Sequence, residues 1–263
     1  VISAAAVLRS APRIPSSVSK LLPFVLGLLI VAGLWEVIGR FEVFGRGWPA
    51  LSDVLGHLSD TERSRVIWRA LPTTARSAVL GLVLGVIVGV SIALTGVMIR
   101  PLRDGIARMV TAIRAIPIIA FAPMLIVTVG RDLAPVYSAM IISIYPVWVA
   151  LSAALLNAPE ALAQLSIALG AKRSRAVRVV FLPNALPGMV DGVRLAAPVA
   201  IIGAIIGEWF GAERGLGIVI VASVLNNQIL QLWAAAMLGA ALSLVTYGLL
   251  SALHRIIVRS RAI

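Results

Sequence analysis

Few charged side chains fall inside the apolar stretches of this sequence, and those few are the ones able to do chemistry there. Asp191 and Arg194 stand three residues apart, on one face of any helix that contains them. Arg114 precedes Ala115-Ile116-Pro117, and Glu208 precedes Trp209. A charge at mid-bilayer costs roughly 2.5–3.5 kcal/mol on insertion scales, so each residue must find a local partner or line a wet passage. Asp191 and Arg194 have two readings: a locally satisfied pair near one boundary with Arg194 snorkelling, or part of a gate or inner-side contact. Arg114 is either a boundary anchor or a pathway residue. Glu208, at the end of its stretch, suits capping or pairing with a loop. Pro117, Pro123, Pro146 and Pro198 interrupt the same stretches. Each frees a backbone carbonyl that needs a partner or a wet cavity. Arg114, Pro117, Pro123, Asp191 and Arg194 are therefore the pathway or gate candidates.

Other chemistries are excluded or weakened by what is missing. Without cysteine there is no disulfide, thiolate metal site or cysteine nucleophile. His57 and His254 are the only histidines, which argues against a histidine metal cluster or a Ser-His-Asp triad. Gly170-Ala171-Lys172-Arg173-Ser174 lacks the first glycine of a phosphate-binding loop, so the chain is not expected to hydrolyse ATP or to bind a cofactor itself.

The elements that must position these residues follow from composition. Of 263 residues 60% are hydrophobic and 13% charged, with mean hydropathy +1.02. Soluble domains carry about 25% charge, so the chain reads as an all-α, polytopic membrane protein. Segments 77–99, 133–158 and 230–253 contain no Asp, Glu, Lys or Arg. Segments 21–38, 106–130 and 186–209 are apolar with isolated charges, giving about six spans in all. The first is expected to be an uncleaved span, since no small-x-small site follows it.

Net charge is +12, and sorting the charges by side gives it meaning. With the N-terminus inside, segments 1–20, 99–108, 157–183 and 254–263 hold 13 of the basic residues against Asp104 and Glu160. The outer connections hold seven basic residues and six acids. The Lys/Arg excess marks the cytoplasmic side, and Trp35, Trp209 and Trp233 fall near the opposite boundary.

Two connections are long. In 40–72, Pro49 is followed by Leu51, Val54, Leu55 and Leu58 at helical spacing, which predicts a short amphipathic surface helix. In 157–183, Pro159 suits a first helical position, Glu160 a first turn and Gly170 a helix stop, with Leu162, Leu165 and Leu169 forming an apolar stripe. A basic helical segment, 172–181, follows, and Pro183 and Pro187 are expected to end it. Such a loop either fixes topology against anionic lipid or presents a short helix to the groove of a soluble partner.

At this loop the sequence resembles the permease subunits of type I ABC importers. Their signature is Glu-Ala-Ala, three residues, Gly, nine residues, Ile, one residue, Leu-Pro. Here Gly170, Val180 and Leu182-Pro183 fit at the right spacing, while Gln164, Leu165 and Ser166 occupy the Glu-Ala-Ala positions. Glu160-Ala161 looks like the missing element but lies four residues early. Leu169-Gly170-Ala171, Gly192-Val193-Arg194, Gly207-Glu208, Gly215-Leu216-Gly217, Thr74-Ala75-Arg76, Ile116-Pro117 and Ala122-Pro123 resemble the nitrate/sulfonate/taurine group of these permeases, over about residues 70–256.

The resemblance implies a type I ABC importer permease fold with an alternating-access pathway. It implies a coupling helix in 157–183 (Pro159, Glu160, Leu162, Gln164, Leu165, Ser166, Leu169, Gly170, Ala171 and Arg173) seated on a cytoplasmic ABC ATPase that holds ATP and Mg. It also implies a second permease copy or paralogue and an extracytoplasmic solute-binding protein in a bacterial inner membrane, and no nucleic-acid partner. The expected layout is 1–69 for the N-terminus, first span and outer connection, 70–256 for the transmembrane domain, and 257–263 for a basic cytoplasmic tail. An ion-gradient-driven secondary transporter is the rival. It predicts paired half-helices and inverted repeats around midplane carboxylates, which the sequence does not display.

Overall fold

The structure is a computed structural model, and it describes residues 18–157, 168, 170, 175 and 177–259. The described residues form helices: α1 (Val18–Arg40), α2 (Leu51–Ser59), α3 (Thr61–Met98), α4 (Arg103–Ala115), α5 (Ile118–Val129), α6 (Ala134–Leu156), α7 (Leu182–Trp209), α8 (Leu216–Leu225) and α9 (Ile229–Arg259). The chain divides into two compact units, residues 1–56 and 57–263.

In the first unit α1 corresponds to the expected first span, and its Leu22, Leu26, Leu29 and Ile30 are exposed, as on a lipid-facing helix. Glu36 ends it with a polar knot. Its carboxylate accepts from the Ser52 amide at 2.9 Å, the Ser52 hydroxyl at 2.8 Å and Arg40 Nε at 2.6 Å. Anchoring a carboxylate at the first turn of α2 satisfies an orphan amide and complements the helix dipole. The predicted surface helix is present as α2.

In the second unit α6 is the central element, packed against both α3 and α7, with α9 laid on α7 and α3. Small residues allow this. A Cβ on Gly85 of α3 would lie 2.7 Å from Ser143 Cβ and 2.9 Å from the Met140 carbonyl of α6. A Cβ on Gly203 of α7 would lie 2.7 Å from Ile142 Cγ2 and 2.9 Å from Ala139 Cα on the same helix. Glycine seams on α3 and α7 thus bring three backbones together. Close packing of this kind is what drives helix association where lipid removes the hydrophobic incentive. Ala78, Ala139, Ala200, Ile201 and Ala204 form one core cluster, and Ala93, Leu151, Leu155 and Ala185 another.

Among the described residues four helices, α3, α6, α7 and α9, are long and apolar enough to cross a membrane, against about six spans expected. The α4–α5 pair makes a fifth if it counts as one span. Three expectations are corrected in detail. The expected continuous span 106–130 is broken, with α4 and α5 bent by 91°. Pro117 lacks an amide hydrogen and forces Ile116 out of the helical region, to φ −80° and ψ 123°. The helix of the second expected span, 77–99, begins already at Thr61, because Asp60 caps it by accepting from the Glu62 and Arg63 amides. Pro183 and Pro187 do not end the basic segment. A π-helical turn, Val177–Phe181, runs straight into α7, with Pro183 in the first turn, where its missing amide hydrogen is no loss.

Candidate functional site

The break between α4 and α5 opens a cavity of about 220 Å³. Its walls are Ile92 of α3, Met109, Val110, Ile113 and Arg114 of α4, Ile116, Pro117 and Ile118 at the break, and Ile141, Ile142, Ile144 and Tyr145 of α6. Arg114 is its charged group, and the guanidinium carbon lies 4.2 Å from the centroid of the Tyr145 ring, a cation–π arrangement. Tyr145 is 11 residues from either end of α6. At 1.5 Å per residue that is about 16 Å from each end, so the guanidinium sits near the middle of the span. Pro123 lies inside α5, outside this lining.

Asp191 and Arg194 form a separate cluster on α7. The Arg194 Nη2 to Asp191 Oδ1 distance is 2.9 Å, the i,i+3 pairing expected of that spacing. Helix α9 completes the cluster. His254 Nε2 is 3.6 Å from Asp191 Oδ1, and the Arg194 guanidinium carbon is 5.6 Å from the Tyr247 ring centroid. Both α7 side chains are partly exposed, so the pair ties α7 to α9 without being sealed from water.

Glu208, at the far end of α7, is completely buried and caps a neighbouring helix, the first of the two roles its position suggested. Its Oε2 accepts from the Thr74 hydroxyl at 3.0 Å and from the Gly217 amide at 2.7 Å. Thr74 Oγ1 in turn accepts from the Leu216 amide at 2.8 Å. A carboxylate and a hydroxyl thus satisfy the first two amides of α8, the donors a helix leaves orphaned. The result fixes α8 against α3 and α7.

Of the coupling-loop residues, Pro159, Glu160, Leu162, Gln164, Leu165, Ser166, Leu169, Ala171 and Arg173 lie outside the described residues. Gly170 is described, at φ +84°, the left-handed conformation that glycine adopts at a helix stop. Among the described residues no group of three His, Asp or Glu side chains could hold a metal ion.

Arg114 and Pro117 therefore share one cavity, Asp191 and Arg194 share another cluster, and the two groups are distinct. Sequence reasoning missed Tyr145, Tyr247, His254 and Thr74, which complete these sites. Thr74 and Glu208 are 134 positions apart, beyond any local pattern. Tyr145 did carry a signal, being one of three tyrosines and lying in a charge-free span beside Pro146.

Comparison with known proteins agrees with this architecture. A probable ABC transporter permease protein of Haemophilus influenzae is 31% identical over 225 residues, 85% of this chain and 90% of the relative. The riboflavin transport system permease protein RibX of Chloroflexus aurantiacus is 31% identical over 246 residues, 92% of this chain and 90% of RibX. The fold is shared with a crystal structure of an amino acid ABC transporter with histidines, at TM-score 0.62 and 19% identity, covering 76% of this chain and 97% of that one. Residues 63–262 match the family described as binding-protein-dependent transport system inner membrane component. The chain belongs to that family and is a multi-pass permease subunit of an ABC importer.

Proposed function

We propose that this permease forms the alternating-access pathway for a small solute, with the α4–α5 break and the Asp191–Arg194 cluster acting within it. A solute-binding protein outside the membrane delivers the solute, and a separate cytoplasmic ATPase holding ATP and Mg drives the cycle. This chain contributes no catalysis of its own and works beside a second permease copy or a paralogue. The solute is a nitrate-, sulfonate- or taurine-like anion or a heteroaromatic vitamin precursor. The membrane is the bacterial inner membrane, with both termini cytoplasmic, as the basic excess on segments 1–20 and 254–263 supports. Residues 70–256 form the transporting domain, and 157–183 the coupling loop.

One observation carries the pathway reading. An arginine in the last turn of α4 lies against Tyr145 at the midpoint of α6, lining a cavity at a proline break, where a charge in an apolar surrounding needs a polar partner or water. Gly170 supports the coupling reading, since its φ of +84° turns the chain at the position the permease signature reserves for glycine. The test is purification of the tagged chain from its native membrane followed by uptake in proteoliposomes. An ATPase subunit is expected to co-purify, and uptake to need ATP with all ion gradients collapsed. Recovery of the chain without any ATPase, with uptake driven by an ion gradient alone, overturns the reading.

A further inference from the structure

We propose that the cavity at the α4–α5 break is an anion-binding station inside the membrane. Arg114 is the ligand there for a small organic anion whose body is one ring or a short chain. The inference rests on the permease reading and narrows its substrate class.

Arg114 is exposed, lines the cavity and packs on Tyr145 at the midpoint of α6. Among the described residues no carboxylate pairs with it; the intramembrane acid Asp191 is engaged by Arg194, and Glu208 by Thr74 and the α8 amide. A second copy of this chain brings no spare carboxylate to that depth either. The sequence has eleven acids, and within the apolar stretches only Glu36, Asp191 and Glu208 occur, with Glu36 at the end of α1. With no carboxylate of this chain paired to it among the described residues, the guanidinium is available to an anion that enters the cavity.

The geometry suits an oxyanion. The guanidinium face lies on Tyr145, which leaves its edge N–H donors available, and that edge matches a carboxylate or sulfonate in bidentate fashion. The Ile, Val and Met walls favour an apolar body over a hydrated inorganic ion. At about 220 Å³ the cavity is smaller than the roughly 300–1,000 Å³ of pockets for drug-sized ligands. A single ring or a short alkyl chain fits it, and a large fused-ring solute does not.

The test uses the permease purified with its ATPase subunit, without the binding protein. Equilibrium dialysis measures radiolabelled benzenesulfonate. Saturable binding is expected, displaced by methanesulfonate and not by neutral benzenesulfonamide. Arg114→Gln should weaken it at least about tenfold, the scale of a lost charge-assisted hydrogen bond, while Arg114→Lys, which keeps the charge but not the planar two-point edge, falls between Arg114→Gln and wild type. Ile141→Trp fills the cavity without touching the charge, and should abolish benzenesulfonate binding while methanesulfonate still binds. Each variant is checked for a monodisperse elution profile. Equal affinity in wild type and Arg114→Gln, equal displacement by benzenesulfonamide, or no saturable binding in the wild-type complex overturns the proposal. Those results leave the permease reading intact, because that reading fails only if no ATPase subunit is recovered with the wild-type chain.

Discussion

Replacing Glu208 tests whether the buried carboxylate holds α8 in place. In Glu208→Ala the Gly217 amide, 2.7 Å from Oε2, loses its acceptor and cannot turn elsewhere, because it belongs to the first turn of α8. The Thr74 hydroxyl, 3.0 Å from the same oxygen, loses its acceptor too but can rotate. A buried donor left unsatisfied costs about 1–3 kcal/mol. One fixed and one mobile donor therefore put the loss at about 2–4 kcal/mol, before any cost of the void. Glu208→Gln keeps an oxygen acceptor in place and should cost at least about 1 kcal/mol less. Thr74→Val removes the acceptor of the fully buried Leu216 amide and should cost about 1–3 kcal/mol. Since Thr74 donates to Glu208 and the two hold adjacent amides of α8, the double variant should be less destabilised than the sum, by about 0.5–3 kcal/mol. The assay is reversible unfolding of the purified permease in mixed micelles by titration with a denaturing detergent. A Gln variant as unstable as the Ala variant, or a strictly additive double variant, would refute the clasp.

Three further outcomes follow from the geometry. Gly85→Leu places its Cβ within 3 Å of two α6 atoms and should abolish recovery of folded permease. Gly248→Ala, whose Cβ meets nothing within 4 Å, should leave recovery unchanged; quantified yields of monodisperse protein decide between them. Pro117→Ala should let α4 and α5 straighten, seen as a longer spin-label distance between 103 and 129, with loss of uptake; an unchanged distance contradicts proline as the cause of the 91° bend. Gly170→Val forces a branched residue into φ +84°, a strain of about 1–3 kcal/mol, and should lower ATPase co-purification; full retention in a pull-down would remove Gly170 from the coupling element.

Much of the site was legible locally. The Asp191–Arg194 pair follows from three-residue spacing on a helix, and Pro117 stood out as a residue that frees a backbone carbonyl. Glu208 at the end of its apolar stretch read as a cap or a loop partner, and it caps α8. The span 106–130 was misread because hydropathy averages over a window and is blind to backbone direction. Its apolar residues are the same whether the helix is straight or bent. Likewise, the start of α3 at Thr61 depends on a three-residue cap that is weak beside the polar composition around it.

By itself the sequence determined that the chain lives in a membrane and which charges must be accounted for, because these depend on composition and short-range order. Tertiary structure alone decided what those charges touch. Tyr145 beneath Arg114, Tyr247 and His254 beside Asp191 and Arg194, and Thr74 against Glu208 come from helices that meet only after folding. Which helix faces which is set by glycine seams whose partners lie far along the chain, and close packing between them has no local signature.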